Sequence, residues 1–438
     1  MAANGGDVLT ADFRATPYWW DLAPRPEPSE VAPPAEAETV IVGAGNVGLS
    51  AALTLVRRGR QAVVLDAEAA GHGASTRNAG YLGRQVWHKY GHMVPKLGRE
   101  RAAEVCRAAI AAHDYASSLI EREQIACYYR NSGRFIAAPS KRVWDELARD
   151  LAMMREDGVP VDAEMVEPED EPPAYRKGHY HGGQILRGNG TIHAGLYHAG
   201  LLERAARDGA RIIDHCPVQA IERAGSGFRI ATPRGTVKAA HVIVATNGYT
   251  PRAAQWLRRR VVPVDAFMIA TEPLAPERVE HIAPGAKPMV EHRYSPCWIR
   301  PNEDGTRILF GGLSAEPPAD LERKARTLRD ALVQIVPALE DVKISHCWTG
   351  KTAFTFDMMP HTGSHDGVEY ALGWCGSGVP MGTYLGHKTA LRVLGDPESK
   401  SAFDGRPFPT APFYTGRPWF LPLAVAWHKR KDRKLFKG

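Results

Sequence analysis

The chain has 438 residues, 44% hydrophobic and 24% charged, with 55 Lys and Arg against 49 Asp and Glu for a formal net charge of +6. That length exceeds one comfortable core, so two domains are expected, and the interspersing of basic with acidic residues disfavours nucleic acid as a partner. Six scattered cysteines without a C-x-x-C pair indicate neither a zinc centre nor a disulfide framework and suit a reducing cytoplasm, while neither a signal-peptide pattern nor a run of about eighteen apolar residues is found.

Taken in chain order, the first residues contain Pro24, Pro26, Pro28, Pro33 and Pro34 and read as an extended arm without a regular element. Tyr18-Trp19-Trp20 within it is either a clamp packed on the nearest domain or the lining of a substrate entrance. Thr39-Val40-Ile41-Val42 reads as a buried parallel strand, and it ends in Gly43-Ala44-Gly45-Asn46-Val47-Gly48, a G-x-G-x-x-G turn. The first glycine serves the tight turn, the second lets backbone approach a pyrophosphate, and the third lets the following helix pack on the strand. That helix is predicted over Val47 to Arg58, stopped by Gly59; Ala62 to Leu65 is a second strand ending in Asp66, where a carboxylate can accept from a ribose diol. Up to this point NAD and FAD are equally allowed.

Ala67 leads into a loop of small and hydrogen-bonding residues, Gly71 to Gly80, with Gly73, Ala74, Ser75, Asn78 and Ala79 suited to lying against a ligand and Arg77 able to pair with a phosphate or stack on a base. Arg99 to Arg122 and Val143 to Glu156 read as helices, with a strand element in Tyr128 to Ala138. A helix in Thr191 to Gly209 precedes short strands at Ile212-Ile213, Val218 to Ile221, Phe228 to Ile230, Val237-Lys238 and Val242 to Ala245, the last ending in the turn Thr246-Asn247-Gly248-Tyr249. Val261 to Thr271, Trp298-Ile299 and Arg307 to Phe310 look like strands of a second, substrate-domain sheet. Glu369 to Leu372 then runs into Gly373-Trp374-Cys375-Gly376-Ser377-Gly378, with Val379 and Pro380 opening a helix to about Leu394. Two glycine-rich strand-to-helix turns far apart in sequence can grip the two ends of one extended cofactor.

These motifs, in this order, together with Trp348-Thr349-Gly350 and Asp357-Met358-Met359-Pro360-His361-Thr362-Gly363, resemble the D-amino-acid oxidase family of FAD-dependent amine oxidoreductases over nearly the whole chain. Gly73 to Gly80, the aromatic arm and Pro418-Trp419-Phe420-Leu421-Pro422 look like the branch that contains gamma-glutamylputrescine oxidoreductase. The family usually has glutamate where this chain has Asp66, and a glycine pair where it has Ala79-Gly80. The resemblance implies an α/β fold: a Rossmann-like FAD domain from segments 36–87, 188–255 and 342–410, a discontinuous substrate domain on a mixed or antiparallel sheet from 88–187 and 256–341, and arms at 1–35 and 411–438. It further implies FAD lying extended along Gly43 to Gly48 and Asp66, backbone near Val218 on the adenine, and the last glycine loop at the flavin pyrimidine edge.

The implied chemistry is hydride removal from the carbon next to an amine or amino-acid nitrogen, with oxygen or another acceptor reoxidising the flavin, and it needs no metal. Lys351 is either a cation stabilising reduced flavin or a solvated lysine; Tyr294, Arg300 and Trp374 are the candidate substrate-facing groups, an arginine on a substrate carboxylate favouring an amino acid. Cys347 is either a covalent flavin attachment point or a buried free thiol, with non-covalent FAD expected. The tail, with Trp419, Trp427 and His428 to Lys434, is read as an arm whose aromatics pack while its charges stay solvated; the alternative is contact with an anionic membrane, as for a dehydrogenase reducing quinone. An NAD(P)H-dependent flavin monooxygenase and a non-catalytic FAD-binding protein remain as other readings.

Overall fold

A computed structural model describes residues 7–28, 31–314 and 320–436; the first six residues of the arm and the last two of the tail lie outside them. Two sheets organise the chain, of eight and nine strands. The eight-stranded sheet has a parallel centre, Arg211–Ile213, Ala62–Leu65, Glu36–Val42, Gly235–Val244 and Val368–Leu372, whose central stretches Val40 to Val42, Val63 to Leu65 and Val242 to Val244 are apolar and buried because both faces are covered there. The stretches expected as separate strands at Val237-Lys238 and Val242 to Ala245 are one strand. Its first half pairs antiparallel with Gly227–Thr232, and its second half pairs parallel with Val368–Leu372.

The glycine-turn helix, Asn46–Arg57, and the late helix, Gly378–Val393, pack directly on each other. A Cβ at Gly386 would lie 2.3 Å from the Val47 carbonyl oxygen and one at Gly382 3.2 Å from the Val47 side chain, so glycine is what allows this approach. Ser50 donates to the Thr383 carbonyl at 2.6 Å across the same seam. The helices Arg99–Arg122 and Ala194–Arg207 complete this core, close to the expected spans.

The nine-stranded sheet runs Leu9–Arg14, Ile344–Thr355, Val261–Thr271, Ile308–Ser314, Cys297–Pro301, Met289–Glu291, Arg134–Ala137, Gly183–Leu186 and Ala163–Val166, mostly antiparallel. Its first strand corrects the reading of the arm as wholly irregular: Leu9–Arg14 carries none of the prolines and pairs parallel with Ile344–Thr355. Two long helices were not anticipated, besides the shorter Tyr90–Leu97, Gln255–Arg258 and Pro276–Ile282. Leu321–Ile335 buries Ala325, Leu332 and Ile335 behind an Asp320 cap that accepts from the Arg323 N–H at 2.8 Å, and Leu421–Leu435 makes most of the tail regular. No helix among the described residues is long and apolar enough to cross a membrane.

Candidate functional site

The two glycine turns end side by side. Gly43 has φ +105°, and a Cβ there would press on the Ala245 carbonyl; at Gly48 a Cβ would fall 1.9 Å from the Gly43 carbonyl oxygen, which fixes the helix against the strand. The first N–H groups of Asn46–Arg57 have no intrahelical partner, and that of Asn46 donates to Ser75 Oγ at 2.9 Å, so the flavin loop closes over the helix terminus at Gly45. Asp66 accepts from the Ala44 N–H at 2.6 Å and from the Glu68 N–H at 3.1 Å, and burial raises its pKa above the ordinary carboxylate value. Cys216 donates its N–H to the Asp66 carbonyl, so Ala67 and the buried Val218 segment sit at the same end of the sheet. His198, behind the turn, has its Nε2 2.8 Å from the Ala44 carbonyl and therefore carries its proton there. Burial holds its pKa at about 4.

The loop Gly71 to Gly80 is gripped from several sides. Thr76 donates to the Gly71 carbonyl at 2.6 Å, and Asn78 spans Ala74, Ser75 and Gly80 with three hydrogen bonds. Trp19 donates to the Asn78 carbonyl and Trp20 to Thr76, which makes the aromatic stretch of the arm a clamp on this loop. Arg77 turns away from the helix terminus: its guanidinium donates to the His72 and Thr349 carbonyls and stacks 4.6 Å over Trp20, so it ties the loop to the substrate sheet. Gly73 packs against Tyr249 of the Thr246 to Tyr249 turn. Asn247 takes φ +45° and accepts from the Gly373 N–H at 2.8 Å, joining that turn to the last glycine loop, and Gly248 packs on Lys351. In the last loop Gly376 has φ +105°, Ser377 donates to the Gln85 carbonyl, and Gly378, Val379 and Pro380 start the helix.

A cavity of about 840 Å³ opens between these loops and the nine-stranded sheet. Asn78, Ala79, Gly376 and Ser377 line one wall; Val264, Ala266, Met268, Trp298 and Phe354 line the other. At one side stands Arg134, stacked 4.7 Å over Tyr81, with Nε and Nη2 buried and without a partner among the described residues. Burial lowers its pKa. His292 Nε2 and Trp298 Nε1 are also buried, unpartnered and on the cavity. Buried donors of this kind are costly unless something polar answers them.

Of the three substrate-facing candidates and Lys351, only Tyr294 lines the cavity. Arg300 is buried beside the cavity and spends its donors on backbone: Nη1 reaches the Ala79, Gly80 and Ile192 carbonyls at 2.9–3.0 Å and Nε the Pro301 carbonyl. Trp374 packs in the nucleotide-domain core against Gly378 and Gly382. Lys351 lies one residue along the strand from Thr352, on the face turned from the cavity, and its Nζ pairs with Asp265 at 3.3 Å. Tyr294 does reach the cavity rim, stacked 5.5 Å from His428 of the last helix. Cys347 is fully buried in the core under the nine-stranded sheet, to which Ile344–Thr355 belongs although 342–410 was assigned to the nucleotide domain, and burial pushes its thiol up to about 12. Sequence reasoning missed Arg134; its signal, an arginine in a short alternating strand, is ordinary until the sheet places it against the flavin loop.

The family profile of FAD-dependent oxidoreductases named DAO matches residues 38–392. A probable oxidoreductase OrdL of Rhizobium meliloti is 30% identical, over 91% of this chain and 92% of that protein. Gamma-glutamylputrescine oxidoreductase of Escherichia coli is 28% identical, over 90% and 93%. The crystal structure of glycine oxidase from Geobacillus kaustophilus superposes with a TM-score of 0.70 at 22% identity, covering 86% of this chain and 99% of that one. The cradle of Gly43, Gly45 and Gly48, a turn whose glycines bring no side chain of their own to the helix terminus, with an acid at the ribose position, fits FAD. The chain belongs to the DAO family of FAD-dependent oxidoreductases.

Proposed function

We propose that this enzyme oxidises the C–N bond of an amine or amino acid, and that its substrate carries a carboxylate received by Arg134. Bound in the cradle, FAD would supply the two-electron oxidation of the carbon alpha to nitrogen, leaving an imine for water to hydrolyse and electrons for oxygen or another acceptor. Arg134 supports the reading most directly. A buried guanidinium with two free donors, held flat by Tyr81, matches the planar two-oxygen edge of a carboxylate. Held there, the substrate would present its amine-bearing carbon toward Ala79 and Ser377, while the apolar wall of Val264, Ala266 and Met268 keeps water from it. Relatives are named for glycine and for gamma-glutamylputrescine, compounds that carry both an amine and a carboxylate.

Anaerobic titration of the holoenzyme tests this, using amino acids, N-substituted amino acids and the matching amines without a carboxylate, on wild type and Arg134→Met. The wild type should be bleached by carboxylate-bearing amines. The variant should bind them roughly a hundredfold more weakly, the loss of one charge-assisted bidentate contact, with unchanged binding of plain amines and an unchanged melting temperature. Equal titrations would remove Arg134 from the substrate site. Bleaching of the wild type by NADPH and by no amine would replace the oxidase reading with a monooxygenase.

A further inference from the structure

The last helix, Leu421–Leu435, has two unlike faces. Its inward residues Leu421, Ala424, Val425 and His428 roof the cavity, and Asp432 and Leu435 are buried. Its outward face is divided along its length. Trp419 just before the helix, then Pro422, Leu423 and Ala426, form an apolar first half, with Trp419 67% and Leu423 73% exposed, and Trp427, 53% exposed, extends from this face to the cavity rim. Lys429, Arg430, Arg433 and Lys434 form the second half, all exposed and none with an ion-pair partner among the described residues. The helix's one acid, Asp432, points inward and accepts from the Tyr294 and Ser295 N–H groups, so no negative charge relieves the outward face. The expectation that the tail's aromatics pack down holds for Phe420, against Tyr414 and Phe356, and fails for Trp419 and Trp427.

We infer that this face docks on an anionic phospholipid surface, without spanning it. Exposed tryptophan and leucine cost free energy in water and suit the boundary of head groups and acyl chains, while four unpaired cations one or two turns further along suit the phosphates beside it. A second copy of the chain fits less well, because the face offers no acid to meet its own cations. Lys431 strengthens the arrangement from within: its Nζ lies 3.5 Å over the Trp427 ring and 5.0 Å over Tyr294, holding the indole at the surface beside the cavity rim.

The test is sedimentation of the full-length holoenzyme with mixed phosphatidylcholine–phosphatidylglycerol vesicles and with pure phosphatidylcholine vesicles, at low and high salt. Wild type should bind the mixed vesicles and release in salt. Trp419→Ser with Leu423→Ser should bind at least about tenfold more weakly, as should Lys429→Gln, Arg430→Gln, Arg433→Gln and Lys434→Gln combined. Both variants change solvent-facing groups, and an unchanged melting temperature verifies that they fold. Wild type that stays in the supernatant overturns the inference, and so does binding that either variant retains in full. Concentration-dependent self-association abolished by Trp419→Ser and Leu423→Ser, without vesicle binding, would assign the face to a second copy instead.

Discussion

Replacing Arg300 by methionine separates two roles that one buried arginine can play. The side chain makes four hydrogen bonds, to the Ala79, Gly80, Ile192 and Pro301 carbonyls, and lies 5.3 Å over Trp19. Each bond from a charged donor is worth about 1.5–3 kcal/mol, but methionine also removes the cost of burying the charge, so a loss of about 3 kcal/mol in all is the reasonable figure. With an unfolding entropy near 2.1 cal/mol/K per residue, the 438-residue chain should lose about 3 °C of melting temperature. The loss should concentrate at the Ala79-Gly80 turn, which Arg300 pins so closely that a Cβ at Gly80 would fall 2.5 Å from Nη1. FAD affinity should therefore fall as well, read from flavin fluorescence released on dilution, while the affinity of carboxylate substrates for the FAD-saturated enzyme stays near that of the wild type. The reasoning is refuted by a variant that melts and holds FAD normally but no longer binds carboxylate substrates, because Arg300 would then face the substrate.

Burial holds the pKa values of His193, His198 and His387 at about 4, and that of His292 well below its ordinary 6.5. As pH falls through 6.5 the unfolded chain takes up these protons before the native one does, so stability is full above 6.5 and declines toward 4; urea midpoints across that window should fall, and His198→Gln, whose amide can still donate to the Ala44 carbonyl, should make the decline shallower by about one proton. An unchanged slope in His198→Gln would show that His198 titrates in the native protein as it does in the unfolded chain. Cys347 is sealed in the core under the nine-stranded sheet, so the denatured protein should have the mass of the bare polypeptide, and a mass raised by a flavin would contradict that placement.

The cradle's adenosine half was legible because strand, glycine turn, helix and acid follow one another within Thr39 to Asp66, where local geometry dictates the pattern. Val261 to Thr271 was legible for the same reason, as eleven residues rich in β-branched and apolar side chains. What sequence could not yield depends on pairing across hundreds of residues. Arg134 and Arg300 both sit in short strands of the nine-stranded sheet, and nothing local says which is consumed by backbone carbonyls and which is left free. The arm's strand and the tail's helix were masked by composition. The tail was read only as an arm of aromatics and charges, yet it folds as a helix whose Pro422 sits in the first turn, where a missing N–H costs nothing. Leu9–Arg14 was overlooked because the prolines beyond it were allowed to stand for the whole arm.

The flavin loop shows why the nucleotide sheet alone would make a poor FAD site. Within Thr76 to Gly80, Thr76 accepts from Trp20, the Arg77 carbonyl from Trp348, the Asn78 carbonyl from Trp19, and the Ala79 and Gly80 carbonyls from Arg300. Every one of those donors comes from the arm or from the nine-stranded sheet. A loop this rich in small residues has much conformational freedom to lose, and ordering it on the cofactor would subtract directly from affinity. Here protein donors fix its shape, so ordering the loop does not subtract from FAD affinity, and the same contacts hold the cavity wall at Ala79 in place. The substrate sheet therefore does two things at once: it supplies the cavity's far wall and it sets the geometry of the near one.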